Sequence, residues 1–165
     1  MTLHKALFLD RDGVINIDHG YVHARENFDF VEGIFELVKA ARKKSYKIII
    51  VTNQAGIARG YYRESQFHNL MNWLKTKLPY DAYYFCLHHP DEGCACRKPA
   101  AGMILQAKAE FNINLTQSIL IGDRETDILA AKNAGIGTKI LFNSDEVKTE
   151  ADYKITSLLE VKKYL

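Results

Sequence analysis

Apolar residues recur along this chain in short runs of strand length, separated by segments in which they keep helical spacing. Four segments show helical spacing, at about 33–44, from Phe67 to Leu78, at 102–111 and at 127–134. Strands and helices that alternate in this way predict an α/β fold, with a doubly wound, mainly parallel, Rossmann-like sheet and helices on both faces. The strand-like runs are residues 5–10, 47–51, 82–86, 118–122 and 138–141.

Two irregular segments interrupt this alternation and are expected to shape a site. Residues 11–32 form an unusually long gap between a strand and a helix, and residues 86–98 form a loop rich in cysteine. Neither segment is large enough to be a separate cap domain, so we expect one domain over residues 1–165 with a fairly open site. We expect only these two segments to shape that site. After Asn143 the pattern predicts only a final strand and a short closing helix.

Composition and charge exclude several classes of partner. A chain of 165 residues with a formal net charge of +2 is large enough for a real core and shows no strong attraction to nucleic acid. No apolar run reaches the length of a membrane span, and the short apolar stretch before Asp10 does not resemble a signal peptide. We therefore expect a cytoplasmic protein, monomeric, with neither nucleic acid nor membrane as its partner.

Two carboxylates at the end of the first strand are the strongest chemical signal. Asp10 and Asp12 are separated by one residue, so a strand places both on the same face, and Gly13 permits a tight turn after them. Such a pair is tolerated if a cation lies between the carboxylates or if one of them carries a proton. Either arrangement suggests a reaction, whereas a simple turn with solvated aspartates is the alternative for this motif alone.

Further polar residues follow the other predicted strands in a recognisable order. Thr52 ends the second strand, Lys98 precedes a helix, and Asp123 ends a later strand with Asp127 four residues on. Alone, Thr52 would be a strand-end residue and Lys98 a surface lysine. In this order, with D-R-D-G at residues 10–13, they resemble the four motifs of the haloacid dehalogenase superfamily of phosphotransferases.

The resemblance implies hydrolysis of a phosphate monoester. Asp10 would attack phosphorus and form an aspartyl-phosphate, while the side chain of Asp12 would protonate the leaving oxygen and then activate water. Thr52 and Lys98 would bind the phosphoryl oxygens. A catalytic Mg²⁺ would be held by the side chains of Asp10 and Asp123 and by the backbone carbonyl of Asp12. In the superfamily, the position of residues 11–32 holds a mobile flap.

Asp127 has two interpretations. It orients Lys98 or a water held by the metal, or it is simply an acid at the start of a helix, where acids are favoured.

The cysteine-rich loop predicts a structural zinc site. Cys86, His88, Cys94 and Cys96 supply three thiolates and one imidazole within eleven residues, as tetrahedral zinc sites do. His89 is the alternative imidazole ligand, although the superfamily pattern favours His88, and three free cysteines are the alternative without metal. Four protein ligands leave no open position for water, so the Zn²⁺ would stiffen the loop that leads into Lys98.

D-R-D-G-V-I-N at residues 10–16, together with this loop, resembles a subgroup that contains heptose 1,7-bisphosphate and histidinol-phosphate phosphatases. The segment 53–62 and the flap favour the heptose enzymes. Arg59 and Arg97 could bind a second phosphate through bidentate contacts, although Arg59 is equally well explained as a surface arginine. The candidates for substrate binding are Asp18, His19, Gly20, Tyr21, Asn53, Gln54, Arg59 and Arg97.

The first hypothesis is therefore removal of the 7-phosphate from a D-glycero-D-manno-heptose 1,7-bisphosphate, a small phosphorylated sugar. This step serves the synthesis of ADP- or GDP-heptose for lipopolysaccharide or surface glycan. The short spacing between His88 and Cys94 is more typical of histidinol phosphatases, which keeps histidinol phosphate as an alternative. A third hypothesis is an inactive, zinc-bearing scaffold that binds phosphorylated ligands.

Overall fold

Six strands form one fully parallel sheet in the computed structural model, which describes residues 2–165. The order across the sheet is β3-β2-β1-β4-β5-β6, so that β1 lies in the middle between β2 and β4. This confirms the predicted doubly wound fold. The strands are β1 (Lys5–Leu9), β2 (Tyr46–Asn53), β3 (Ala82–Cys86), β4 (Ile119–Gly122), β5 (Thr138–Phe142) and β6 (Tyr153–Ile155).

Helices cover both faces of the sheet because successive residues of a buried parallel strand point to opposite sides. In β1, Leu7 and Leu9 join one apolar cluster, whereas Ala6 and Phe8 join the other. Helices α1 and α2 pack in the first cluster, and α3 and α4 pack in the second. The helices are α1 (Ile34–Lys43), α2 (Glu64–Lys77), α3 (Gly102–Phe111) and α4 (Glu125–Ala134).

The strand order reverses between β1 and β4, which places a crevice at their carboxyl ends. Leu9 pairs with Ile121, and the N–H of Asp10 donates to the carbonyl of Ile121 at 3.1 Å. The residues directly after these two strands, Asp10 and Asp123, therefore leave the sheet side by side. The chain topology alone brings together two carboxylates that are more than a hundred residues apart in sequence.

Element boundaries differ from the predicted ones where polar residues extend an element. Strand β2 continues through Thr52 and Asn53, because these residues pair with Phe85 and Cys86 of β3. Helix α4 begins at Glu125 rather than at residue 127, in a first turn of polar residues that carries no apolar periodicity. The closing helix, over Leu158–Tyr164, is a 3-10 helix. Within residues 2–165, every helix falls short of the length and apolarity that a membrane crossing requires.

Candidate active site

A cavity of about 610 Å³ opens at the carboxyl ends of β1, β2 and β4. Its walls come from the flap, from the loop after β2, from the cysteine loop and from the start of α4. It collects most of the residues that the sequence predicts for the site. These are Asp10, Asp12, Asp18, Gly20, Tyr21, Asn53, Gln54, Arg59, Arg97, Lys98 and Asp127.

The expectation that only the flap and the cysteine loop shape the site is wrong. Arg124, Glu125 and Thr126 at the start of α4 line the cavity, as does Glu146 from the loop after β5. These residues follow strands whose carboxyl ends reach the same edge of the sheet, so their loops surround the crevice as well. Arg124 also binds Asp18 of the flap, with Nη2 and Oδ2 3.2 Å apart.

Three residues predicted for this site lie outside the cavity lining, namely His19, Thr52 and Asp123, the last of which directly follows β4. His19 points along the flap surface, where its Nε2 is 2.7 Å from Oδ2 of Asp29. The Thr52 side chain is buried beneath the cavity, and its Oγ1 accepts a hydrogen bond from Nε2 of Gln54 at 2.9 Å. His19 therefore pairs with Asp29 on the flap, and Thr52 supports Gln54 from below.

A buried lysine links the two acidic ends of the site. Nζ of Lys98 donates to Oδ1 of Asp10 at 2.9 Å, to Oδ1 of Asp127 at 2.5 Å and to the Val51 carbonyl at 3.0 Å. Asn53 holds the lysine backbone, because its Oδ1 accepts from the N–H of Lys98 at 3.1 Å. Lys98 is only 4 % exposed, so the interpretation of a solvated surface lysine is wrong.

Burial and charge act in opposite directions on these groups. Burial, with the nearby charge of Asp127, raises the pKa of Asp10 well above its usual range, although Lys98 opposes the shift. Burial lowers the pKa of Lys98, but the two carboxylates beside it outweigh this and raise the pKa above its ordinary value. Burial and Asp127 also raise the pKa of Asp123. The site thus holds one protonated amine, that of Lys98, and a larger number of carboxyl groups.

This surplus fits a divalent cation. Carboxylate oxygens of Asp10, Asp123 and Asp127 lie within 4.8 Å of one another. Asp127 already accepts from Lys98 through Oδ1 and from the N–H of Arg124 through Oδ2. Within residues 2–165, Oδ1 of Asp123 is buried and has no hydrogen-bond partner. Asp10 and Asp123 therefore remain as the side chains with free oxygen, and such hard donors suit Mg²⁺.

Asp127 satisfies both interpretations offered for it. Its bond to Lys98 orients the lysine, and its bond to the N–H of Arg124 caps the first turn of α4. One carboxylate performs both tasks because its two oxygens accept from different donors.

Gly13 allows Asp123 to approach the turn after β1. Its φ is +92°, and a Cβ at this position would lie 2.1 Å from Oδ2 of Asp123. We expect Gly13→Ala to displace this carboxylate and to lower kcat by about 10²-fold, since a misplaced reacting group has that effect. Gly135→Ala is the matched control, with φ +90° and no atom within 4 Å of the new Cβ.

Both alanine variants strain a left-handed residue, so both should lose about 1 kcal/mol of stability. Only Gly13→Ala should lose activity, measured as phosphate release at saturating substrate and magnesium. Equal activity in the two variants would contradict the position assigned to Asp123.

Three donors fix the carboxylate of Asp12. Nη2 of Arg11 and Nδ2 of Asn16 donate to its Oδ1 at 2.8 Å and 3.0 Å, and Nε2 of Gln54 donates to its Oδ2 at 3.2 Å. The hydroxyl of Tyr62 in turn donates to Oε1 of Gln54. The second carboxylate of the motif is therefore oriented by a hydrogen-bonded frame that includes the flap and the loop after β2.

The cysteine loop gathers the four predicted zinc ligands. The sulfurs of Cys86, Cys94 and Cys96 and a ring nitrogen of His88 all lie within 4.8 Å of one another. Burial raises the pKa of Cys94, but hydrogen bonds from the Arg97 backbone and the neighbouring thiols lower it to about 6. Three sulfurs and one imidazole nitrogen at this spacing fit a tetrahedral Zn²⁺ site.

His89 faces away from this cluster. Its Nδ1 accepts from the N–H of Asp91 at 3.2 Å and caps a short 3-10 helix over Pro90–Glu92. The structure therefore favours His88 as the fourth ligand.

Four further residues contribute to the site without having been predicted from the sequence. Arg124 could have been found, because it directly follows the glycine–aspartate pair at the end of β4. Arg11 lies between the two aspartates of the first motif but faces the other side of the strand. Asn16 and Tyr62 carry no local signal, because only the folded flap and the loop after β2 bring them to Asp12 and Gln54.

Comparisons with known proteins identify the family of this chain. A family model described as HAD-hydrolase-like matches residues 95–157. D-glycero-beta-D-manno-heptose-1,7-bisphosphate 7-phosphatase of Helicobacter pylori is 49 % identical over 155 residues, which is 90 % of each chain. The alpha-heptose enzyme of Campylobacter jejuni is 51 % identical over 154 residues, covering 90 % of this chain and 87 % of the relative.

A solved structure of a heptose bisphosphate phosphatase shows the same fold. The fold superimposes with a TM-score of 0.84 on D,D-heptose 1.7-bisphosphate phosphatase from B. bronchiseptica, complexed with magnesium and phosphate. That protein is 27 % identical, and the match covers 96 % of both chains. The chain belongs to the heptose-1,7-bisphosphate 7-phosphatase family of haloacid dehalogenase-like hydrolases.

Proposed function

We propose that this protein removes the 7-phosphate from a D-glycero-D-manno-heptose 1,7-bisphosphate. The observation that carries the proposal is a second set of cations in the cavity of the reactive aspartates. Arg59, Arg97 and Arg124 line this cavity in addition to Lys98. Within residues 2–165, Nη1 of Arg97 is buried without a hydrogen-bond partner. Guanidinium groups with free donors bind phosphate, so a substrate with two phosphates fits the site.

The first step transfers the phosphoryl group to the protein. A carboxylate oxygen of Asp10 attacks phosphorus, and the bond from phosphorus to the sugar oxygen breaks. The carboxyl group of Asp12 gives its proton to that oxygen, so the sugar leaves as an alcohol. Lys98 stays protonated beside Asp10 and offsets the charge on the phosphoryl oxygens.

The second step restores the enzyme. A water oxygen attacks phosphorus while the carboxylate of Asp12 takes the proton of the water. The bond from phosphorus to the Asp10 oxygen breaks, which releases inorganic phosphate and leaves Asp12 protonated for the next turnover. One carboxyl group thus acts first as acid and then as base, because the three donors described above keep it in one position.

Two metal ions complete the proposal. Asp10, Asp123 and the carbonyl of Asp12 would hold Mg²⁺, which would supply charge neutralisation for the transferred phosphoryl group. Cys86, His88, Cys94 and Cys96 would hold Zn²⁺ in a structural role. We also propose that the protein acts as a monomer.

The two relatives are named for different anomers of the sugar, so the anomer preference of this protein has to be measured. The Helicobacter relative is named for the beta anomer and the Campylobacter relative for the alpha anomer, at almost equal identity. The test is therefore steady-state phosphate release with magnesium on both anomers of the heptose bisphosphate, with histidinol phosphate and p-nitrophenyl phosphate for comparison. We expect kcat/KM for one heptose anomer to exceed the values for the other esters by about 10²-fold or more, as specific phosphate recognition allows.

Arginine variants connect this preference to the cavity. Arg97→Ala and Arg59→Ala should each lower kcat/KM for the bisphosphate by about 10-fold or more, and should change that for p-nitrophenyl phosphate less. Arg25→Ala is the control, because Arg25 is exposed on the flap and does not line the cavity. A higher kcat/KM for histidinol phosphate in the wild-type protein would refute the proposed substrate.

A further inference from the structure

Among residues 2–165, Arg11 is the largest side chain that is fully buried. It lies between the reactive aspartates in sequence, yet its guanidinium group turns into the apolar core. The group is 5.9 Å from the ring centroids of both Phe28 and Phe67. A buried cation is unfavourable unless it is fully paired, so its presence among aromatic rings needs an explanation.

Within the described residues, Nη2 is the one nitrogen of this group that has hydrogen-bond partners. Nη2 donates to the carbonyl of Val22 in the flap at 2.6 Å and to Oδ1 of Asp12 at 2.8 Å. Within residues 2–165, Nε and Nη1 are buried without hydrogen-bond partners. Two nitrogens of Arg11 thus stay without partners, while the third connects Val22 of the flap to the carboxylate of Asp12.

Two simpler roles do not account for this arrangement. An apolar side chain would fill the same space between the rings without unsatisfied donors. Neutralising the nucleophile is the task of Lys98, since Lys98 is the cation that binds the Asp10 side chain. The contact of the Arg11 guanidinium group in the active site is with Asp12, whereas only the backbone N–H of Arg11 donates to Asp10.

We propose that Arg11 is a positioning residue, which holds the carboxyl group of Asp12 where it can protonate the leaving oxygen. This inference rests on the proposed function, in which Asp12 is the acid. It extends that function by assigning the orientation of the acid to a buried arginine that the flap holds in place.

The opposite side of Asp12 supports the same frame. Gln54 donates to Oδ2 of Asp12, and the hydroxyl of Tyr62 donates to Gln54. Burial raises the pKa of Tyr62 to about 12, so this hydroxyl stays protonated and keeps Gln54 turned toward Asp12. Asp12 is thus held from both sides, and loss of Arg11 leaves one side without its charged donor.

The decisive test is the dependence on the leaving group. We compare Arg11→Met with the wild type by kcat/KM, which includes steps only up to formation of the aspartyl-phosphate. The substrates are the best alkyl phosphate from the comparison above and p-nitrophenyl phosphate, whose leaving group departs without a proton. We expect a loss of about 30-fold for the alkyl ester and less than about 3-fold for the aryl ester, since general acid catalysis contributes 10²- to 10⁴-fold.

A double-mutant cycle shows whether Arg11 acts through Asp12. In the background of Asp12→Asn, the added Arg11→Met should change kcat/KM for the alkyl ester by less than about 3-fold. Equal losses on both esters, or a full further loss in the double mutant, would overturn the positioning role.

The proposed function and this inference fail in different ways. If the wild type hydrolyses neither ester, the proposed function fails and the positioning role falls with it. If the wild type hydrolyses both esters and Arg11→Met loses them equally, only the positioning role fails.

Arg42→Met is the matched control for removing an arginine. Arg42 also donates to a backbone carbonyl, that of Pro79, and lies 3.6 Å from an aspartate, Asp81, away from the cavity. This variant should keep both kcat/KM values.

If Arg11→Met does not fold, Arg11→Lys is measured in the same way. The ammonium group of lysine lies one bond nearer to the backbone than Nη2 of arginine does. We therefore expect a loss of kcat/KM smaller than that of Arg11→Met and again larger for the alkyl ester than for the aryl ester. Equal losses on the two esters in that variant would overturn the inference.

Discussion

Asp10→Asn is expected to abolish phosphate release and, at the same time, to raise the melting temperature of the metal-free protein. An amide cannot form the acyl-phosphate, so kcat should fall by about 10⁴-fold or more. Stability should rise because burial, together with the nearby charge of Asp127, raises the pKa of this carboxyl group and disfavours its charged form. A gain of about 1 kcal/mol corresponds to about 2–4 °C for a chain of this size.

Asp81→Asn is the control for this experiment, with the opposite effect on stability and no effect on kcat. Oδ2 of Asp81 accepts from the N–H of Ile48 at 2.7 Å, far from the cavity. Weakening this charge-assisted bond should lower stability by about 1 kcal/mol and leave kcat unchanged. Phosphate release and thermal unfolding are measured on both variants without metal and with magnesium. Turnover by Asp10→Asn near the wild-type rate would refute the assignment of the nucleophile.

His88→Ala is expected to release zinc and to lose both stability and activity. Zinc binding contributes directly to folding where the metal orders a loop, so the melting temperature should fall by at least about 10 °C. The catalytic effect follows from the chain order, because Arg97 and Lys98 come directly after the last cysteine. We expect kcat/KM to fall by about 10²-fold, since small displacements of positioning groups have effects of this size.

His89→Ala separates this effect from a general disturbance of the loop. His89 lies beside His88 but caps the 3-10 helix through Asp91 instead of facing the thiols. Elemental analysis should find about one zinc per chain in the wild type and in His89→Ala, and much less in His88→Ala, if the site is tetrahedral. Zinc retained by His88→Ala and lost by His89→Ala would reverse the ligand assignment.

The sequence predicted most of the fold because hydrophobic periodicity is a local property. Each strand and helix carries its own pattern, and the alternation of the two element types implies a parallel sheet. The boundaries that differ, at Thr52 and Glu125, lie where polar residues extend an element through pairing or capping, which periodicity does not register. The cluster of three cysteines and one histidine was predictable because it is also local, since all four residues lie within eleven positions.

The carboxylates were predictable through one further rule. In a parallel sheet, the residues that follow the strands all lie at the same edge. The sequence therefore predicts that Asp10 and Asp123 lie close together. The partners of these groups were not predictable in detail. Nζ of Lys98 meets Asp10 across 88 residues of sequence, and no local pattern specifies such a bond.

Taken alone, the sequence determined the class of fold, the edge of the sheet that carries the site and the residue types available for chemistry. Only the tertiary structure decided which donor each side chain finds. It turned His19 toward Asp29, buried Thr52 beneath Gln54 and directed Arg11 into the core to hold Asp12. The physical reason is that periodicity follows from burial along one segment, whereas hydrogen-bond partners depend on how segments distant in sequence cross.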